Sequence, residues 1–235
     1  MLFSPQQDEA LKAVSRWLKE GRTPVFRLFG YAGTGKTTLA KHFAENVDGE
    51  VLFAAFTGKA AQVLRSRGAT NARTIHSLIY RPRGEETVED EETGKTSVAP
   101  MFSINRQSPL AKAALIIIDE CSMVDEQLGK DLMSFGTPIL VLGDPGQLPP
   151  VSGGGFFTEQ EPDYLLSEIH RQAKDNPIIH LAMDVREGRE IMRGDYGAAQ
   201  VISKSEVTQS LVLMPIRCSS AQIARAAVIT SGFAS

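Results

Sequence analysis

The chain has 235 residues, 42% of them hydrophobic and 23% charged, and a formal net charge of −3. That length suffices for one sizeable core, and the composition is that of a soluble globular protein rather than a fibrous or disordered one. A slightly acidic total gives no support for nucleic-acid binding, although it leaves room for a local basic patch. Cys121 and Cys218 have neither metal-ligand nor disulfide-framework spacing, which fits a reducing cytosol. No signal peptide and no apolar run of about 18 residues is visible, so the expectation is a cytoplasmic protein without a membrane span.

In chain order, "SPQQDEALKAVSRWLKEG" predicts a helix with Ser4 as N-cap, Pro5 at its first position and Gly21 as its stop. Leu11, Val14, Trp17 and Leu18 recur at helical spacing, which places Trp17 in the core. "PVFRLFG" reads as a strand, followed by a glycine-rich turn and a helix from about Lys36 to Asn46. "EVLFAAF" is a second strand, apolar on both faces after Glu50. "GKAAQVLRSRG" and "TIHSLIY" read as helical. Residues 81–107 are polar and acidic; they fit a projecting β-hairpin inserted in the main domain, or a disordered acidic loop. "ALIIIDE" and "TPILVLGD" are two further buried strands, separated by the helix "VDEQLGKDLMSFG". "NPIIHLAMDVREG" is another amphipathic helix. Strands alternating with helices imply an α/β fold with a doubly wound parallel sheet.

"GYAGTGKTT" at 30–38 matches the phosphate-loop pattern G-x-x-x-x-G-K-[ST] between a predicted strand and a predicted helix. Backbone N–H groups from Gly33 to Lys36, with the helix N-terminus, can cradle phosphate oxygens. Lys36 can reach the β- and γ-phosphates, and Thr37 can ligate Mg²⁺. The nucleotide-binding set is therefore Gly30, Gly33, Thr34, Gly35, Lys36, Thr37 and Thr38. Asp119 and Glu120 end the strand "LIIIDE": the first is placed to hold Mg²⁺ through water, the second to orient or deprotonate an attacking water. The strand "ILVLGD" delivers Gln147, within "GDPGQLPP", to the carboxyl edge of the sheet, where ligands bind in such folds. A neutral amide can donate to a phosphate oxygen and accept from water, so Gln147 is read as a sensor of the γ-phosphate.

"DECSMVD" followed by "LVLGDPGQLPPV" resembles motifs II and III of the superfamily 1 helicases, in the RecD-like, 5′-to-3′ branch. "FSPQQDEAL" resembles the Q motif, whose glutamine reads adenine and maps to Gln7. "TGKAA" and "TIHS" resemble motifs Ia and Ib; the resemblance implies single-stranded DNA contacts by Thr57, Lys59, Thr74 and His76. "LSEIHRQAKDNPIIHLAMDVREG" resembles the segment with the motif IV arginine, which maps to Arg171; that side chain can neutralise charge on the γ-phosphate or pair with Glu168. Arg65, Arg67, Arg73, Arg81 and Arg83 form a basic lane or are solvated surface arginines. The 81–107 insertion lies where this branch carries its strand-separating pin, and Met101 or Phe102 can stack on bases.

The resemblance implies a RecA-like P-loop NTPase domain over 1–80 and 108–213, using ATP and Mg²⁺ to translocate on single-stranded DNA. Such helicases work with two RecA-like domains, so this chain is expected to act as the first only and to unwind little alone. The last 22 residues, 214–235, differ from the rest. Codons able to encode Met214 to Ile229, read with one nucleotide added in front, encode "DADQVLVGTNRTRRRY", which resembles how family members continue. The expectation is a frameshift near Leu213. Two other classes use the same loop: a nucleotide-dependent switch or loader without mechanical work, and a small-molecule kinase, which Glu120 and "GDPGQLPP" argue against.

Overall fold

The computed structural model describes residues 3–89, 96–145, 147, 155–168, 177–186, 188–197 and 199–202. Arg171 and the 203–235 tail lie outside the described residues, as do Gly146 and residues 148–154 of the glycine- and proline-rich stretch.

Helix α1 spans Pro5–Glu20. Ser4 caps it: its hydroxyl accepts from the Gln7 N–H at 3.3 Å, and the Gln7 Oε1 accepts from the Ser4 N–H at 3.1 Å. This reciprocal pair satisfies two of the donors that a helix start leaves open. Gly21 ends the helix in the left-handed conformation at φ 59, donating to the Trp17 carbonyl. Strand β1 is Val25–Gly30, α2 Lys36–Ala44, β2 Val51–Ala55, α3 Gly58–Ser66, β3 Arg73–Thr74 and α4 Ile75–Ile79. Strands β4 (Tyr80–Glu89) and β5 (Thr96–Ile104) pair antiparallel, with a register shift between Pro82 and Gly84. Residues 90–95 between these two strands lie outside the described residues. Then follow β6 (Leu115–Asp119), α5 (Glu126–Met133), β7 (Ile139–Gly143) and β8 (Tyr164–Leu166).

Six strands form one sheet in the order β3-β2-β6-β7-β1-β8, and every pairing is parallel. Parallel pairing needs a crossover between strands, and helices supply it. The two faces are covered by different helices, as the strand residues themselves dictate. In β6, Leu115 and Ile117 join α1, α2 and α3 residues such as Val14, Leu39 and Leu64, while Ile116 and Ile118 join Leu78 of α4 and Leu128 of α5. Strand β7 alternates in the same way, Leu140 and Leu142 against Ile139 and Val141. A period of two across uninterrupted apolar strands leaves both faces needing cover, and this is the physical origin of the three-layer fold. Trp17 is buried at 8% exposure and lies on the α1 side of the sheet.

The chain divides into two units, one ending at Glu168 and one beginning at Ile169. In the second, helix α6 spans Pro177–Arg186, and β9 (Gly194–Asp195) pairs antiparallel with β10 (Gln200–Val201). Among the described residues no helix is long and apolar enough to cross a membrane.

Candidate active site

The phosphate loop leaves β1 at Gly30 and enters α2 at Lys36. Two glycines give it its shape: Gly33 at φ 81 and Gly35 at φ 82 occupy the left-handed region that side chains disfavour. Gly30 is required for a different reason. A Cβ there would lie 2.8 Å from the Leu166 Cβ, the Leu166 carbonyl oxygen and the Thr34 Oγ1. Its role is thus close approach of β8 and of the loop itself.

Thr34 is buried to 1% exposure, and its groups serve the loop. Its hydroxyl donates to the Tyr31 carbonyl at 2.9 Å, its N–H to the same oxygen at 3.3 Å, and its carbonyl accepts from the Gln7 Nε2 at 3.0 Å. Lys36 lies over the loop, its ammonium donating to the Gly30 and Tyr31 carbonyls at 2.5 and 3.0 Å. Thr38 is exposed on the following helical position.

Sheet order decides which side chains meet the loop. Strand β7 sits between β1 and β6, so the end of the strand that leads to Gln147 lies between the phosphate loop and the Asp119 carboxylate. The Thr37 hydroxyl donates to the Asp119 Oδ2 at 2.9 Å. Hydroxyl and carboxylate oxygens at that separation are hard donors of the kind Mg²⁺ takes alongside phosphate oxygens and water, so this pair fits the metal expected there. Asp119 is itself held by the Glu120 N–H, which donates to its Oδ1 at 3.0 Å. Glu120 is exposed and is the one non-glycine with positive φ among the described residues, at φ 55 and ψ 52. Left-handed backbone is disfavoured for a residue with a side chain, and such residues cluster at functional sites.

Gln147 is exposed; its N–H donates to the Asp144 carbonyl at 3.0 Å, and its Oε1 accepts from the Ser122 hydroxyl at 3.1 Å. Nothing in the sequence pattern singled out Ser122. Just after the short helical turn Cys121–Met123 that carries it, the Val124 carbonyl accepts from the Phe156 N–H, beyond Gln147, at 2.8 Å. Cys121 is fully buried next to this site, and burial, with the Asp119 charge, pushes its thiol up to about 12.

Gln7, expected to read adenine, lies in the first turn of α1. It is 6% exposed, and its amide is bonded to the Ser4 N–H and the Thr34 carbonyl, both backbone groups of the domain. The Ser-x-x-Gln spacing of a capping box, at 4–7, carried that signal in the sequence.

The four residues expected to contact DNA come together at the other end of the sheet edge. Ala55 of β2 is in register with Thr74 of β3, so Thr57 and Thr74 follow neighbouring strand ends. Both hydroxyls are helix caps: Thr57 accepts from the Ala60 N–H at 3.1 Å and Thr74 from the Ser77 N–H at 3.2 Å. Lys59 and His76 are exposed. The His76 ring lies between Phe56 and Tyr80, with ring centroids 5.9 and 5.7 Å away. Met101 and Phe102 on β5 are exposed, Phe102 at 60%.

A parallel sheet with a phosphate loop after one strand and paired carboxylates after another defines a P-loop NTPase domain. A family model described as an AAA domain matches residues 3–206. The ATP-dependent RecD2 DNA helicase of Deinococcus radiodurans is 34% identical over 178 residues, covering 72% of this chain and 22% of that protein. The ATP-dependent DNA helicase dda of Enterobacteria phage T4 is 34% identical over 200 residues, covering 78% of this chain and 42% of that protein. A structure of two coordinating Pif1 helicases at forked double-stranded DNA shares the fold, with a TM-score of 0.56 and 23% identity over 81% of this chain and 49% of that one. The chain belongs to the AAA domain family and is similar to part of two ATP-dependent DNA helicases. It spans less than half the length of the relatives it matches.

Proposed function

We propose that this chain is the ATP-binding motor domain of a DNA helicase, coupling hydrolysis of ATP–Mg²⁺ to movement on single-stranded DNA. The observation that carries the reading is the Thr37–Asp119 hydrogen bond, which joins the loop that would grip phosphates to the strand that carries the carboxylates.

The backbone N–H groups of the loop and the start of α2 bind and orient the phosphates. The Lys36 ammonium exchanges its two loop carbonyls for β- and γ-phosphate oxygens, a gain in charge that the carbonyls cannot match. Thr37 and, through water, Asp119 would hold Mg²⁺, which would supply positive charge to the phosphates there. Glu120 orients the attacking water and takes its proton, and Gln147 contacts the γ-phosphate through the end of its amide not held by Ser122. The motif resemblance implies a further positive charge from Arg171, which lies outside the described residues. Thr57, Lys59, Thr74 and His76 offer hydroxyl, ammonium and imidazole groups to a DNA backbone, contacts that hold a strand without reading its sequence.

The test is the ATPase rate with and without single-stranded DNA, measured on this chain and on a version extended by a second RecA-like domain, with Lys36→Ala as control. Stimulation by DNA in the extended protein, lost in the control, is expected. ATP binding without any DNA-dependent turnover in the extended protein would instead indicate a switch module.

A further inference from the structure

The β4–β5 pair leaves the domain through two roots, and both are fastened to the same turn of α5. We propose that Tyr80 and Arg106 are positioning residues that lock this pair of strands to the ATP-binding domain, so that a load on its exposed Met101–Phe102 edge passes into α5. The inference rests on the DNA-motor reading above and names the contacts that hold the two strands still.

A two-stranded sheet by itself is marginally stable and needs packing against another element. Among the described side chains, Tyr80 is the one residue of β4 and β5 that packs against the hydrophobic core. The ladder begins with Tyr80 opposite Ile104, and just outside it the Asn105 N–H donates to the Ile79 carbonyl at 2.7 Å. These backbone bonds hold the two roots to each other. They leave open the angle at which the pair leaves the domain, which a third element has to set. Phe102 stands opposite Pro82, close to the Tyr80 root, so the exposed ring takes its place from that root.

Helix α5 supplies that element at both roots. The Tyr80 hydroxyl donates to the Asp131 Oδ2 at 2.5 Å, and the Asp131 Oδ1 accepts from the Gln127 Nε2 at 3.1 Å, which fixes how the carboxylate is turned. Burial, then the Asp131 carboxylate, pushes the Tyr80 phenol above its ordinary value, so the hydroxyl stays a donor. Past the other strand, the Arg106 Nη1 donates to the Ser134 carbonyl and Oγ at 3.0 and 3.3 Å, and the guanidinium lies 5.7 Å from the centre of the Phe135 ring. The Ser134 hydroxyl donates to the Asp131 carbonyl at 2.6 Å, so the two attachment points are themselves joined. Asp131 and Ser134 stand at i and i+3, neighbours on one side of the helix. Two attachments, one at each root, resist a rotation that a single one would permit. The helix is well seated: Leu128 and Leu132 are buried, and the Phe156 ring lies so close to Gly129 that a Cβ there would collide with it.

The experiment has two arms. In the whole chain carrying Cys218→Ser, spin labels at Met101→Cys and Asp48→Cys, both exposed positions, report the distance between β5 and the sheet domain by pulsed electron resonance. Cys121 is buried and stays unlabelled. A single narrow distance distribution is expected, broader in Tyr80→Phe and in Arg106→Ala and broadest when the two are combined. Asp131→Asn, which keeps an acceptor for the Tyr80 hydroxyl, should stay narrow. Thermal unfolding checks that each variant is folded, and the two single variants carry the test where the double variant is not. In the protein extended by a second RecA-like domain, base pairs opened per ATP should fall about tenfold in the double variant, the scale of one or two hydrogen bonds, with DNA-stimulated hydrolysis kept within about twofold. Equal distribution widths throughout, or unwinding and hydrolysis falling together, overturns the inference. Absence of DNA stimulation in the unmutated extended protein overturns the DNA-motor reading instead, and the distance measurement, which needs neither nucleotide nor DNA, still decides the role of Tyr80 and Arg106.

Discussion

The Thr37 hydroxyl reaches the Asp119 Oδ2 at 2.9 Å, joining the first turn of α2 to the end of β6 although β7 lies between β1 and β6 in the sheet. Two groups from elements 82 positions apart thus meet at the point where a metal ion would join nucleotide to protein. Removing the hydroxyl with Thr37→Ala is expected to abolish most of the Mg²⁺-dependent part of ATP affinity and leave the Mg²⁺-independent part within about twofold. Loss of the hydrogen bond itself lowers stability by about 1 kcal/mol. Thr37→Ser, which keeps the hydroxyl, should behave like the unmutated chain. ATP titrations with Mg²⁺ and with a chelator check this, and an unchanged Mg²⁺ dependence in T37A would remove Thr37 from the metal site.

Glu120 holds a backbone conformation that costs a side chain about 1–2 kcal/mol. Glu120→Asn tolerates that conformation better, so it is expected to raise stability by about 1 kcal/mol while slowing hydrolysis by about 10² or more, the loss of a general base. Glu120→Gln keeps the strain and loses only the charge, so it should slow hydrolysis without stabilising. Urea unfolding and single-turnover hydrolysis on the extended protein separate the two effects. Equal stabilities for both variants would show that the conformation stores no strain.

Ser122 holds the Gln147 carbonyl oxygen at 3.1 Å, leaving the amide nitrogen as the free end. The Ser122→Ala variant frees the amide to rotate. ATP affinity is expected to stay within about twofold, whereas DNA stimulation of turnover in the extended protein falls about tenfold, the worth of one hydrogen bond. Ser122→Thr restores it in part. Should S122A lose ATP affinity and stimulation alike, Ser122 supports the fold and not the sensor.

Tyr164 tests the anchoring of α1 by pH. Burial, then its hydrogen bond to Glu9, pushes the phenol from 10.0 up to about 12. The folded protein therefore holds this proton more tightly than the unfolded chain does. The contribution is present in full below pH 10.0 and is lost as pH rises from there to about 12, because the unfolded chain ionises first. Urea unfolding across that window should show a steeper decline for the unmutated chain than for Tyr164→Phe. Identical slopes would mean that Tyr164 makes no such bond in solution.

Much of the frame is legible in local pattern. Ser4, Pro5 and Gly21 bound α1 as their backbone preferences require. The apolar runs of β2, β6 and β7 announce strands buried on both faces, and the phosphate loop announces its own strand and helix. Strand β8 escaped notice because three residues between acidic neighbours show no period; only pairing with β1 makes them a strand.

Local sequence determined the element types, the loop and the carboxylates, because backbone preference and burial pattern act over a few neighbouring residues. The fold alone decided which distant groups touch: Thr37 with Asp119, Ser122 with Gln147, Gln7 with Thr34. Those pairings follow from strand order, and strand order is a property of how the whole sheet packs, which no short stretch of residues encodes.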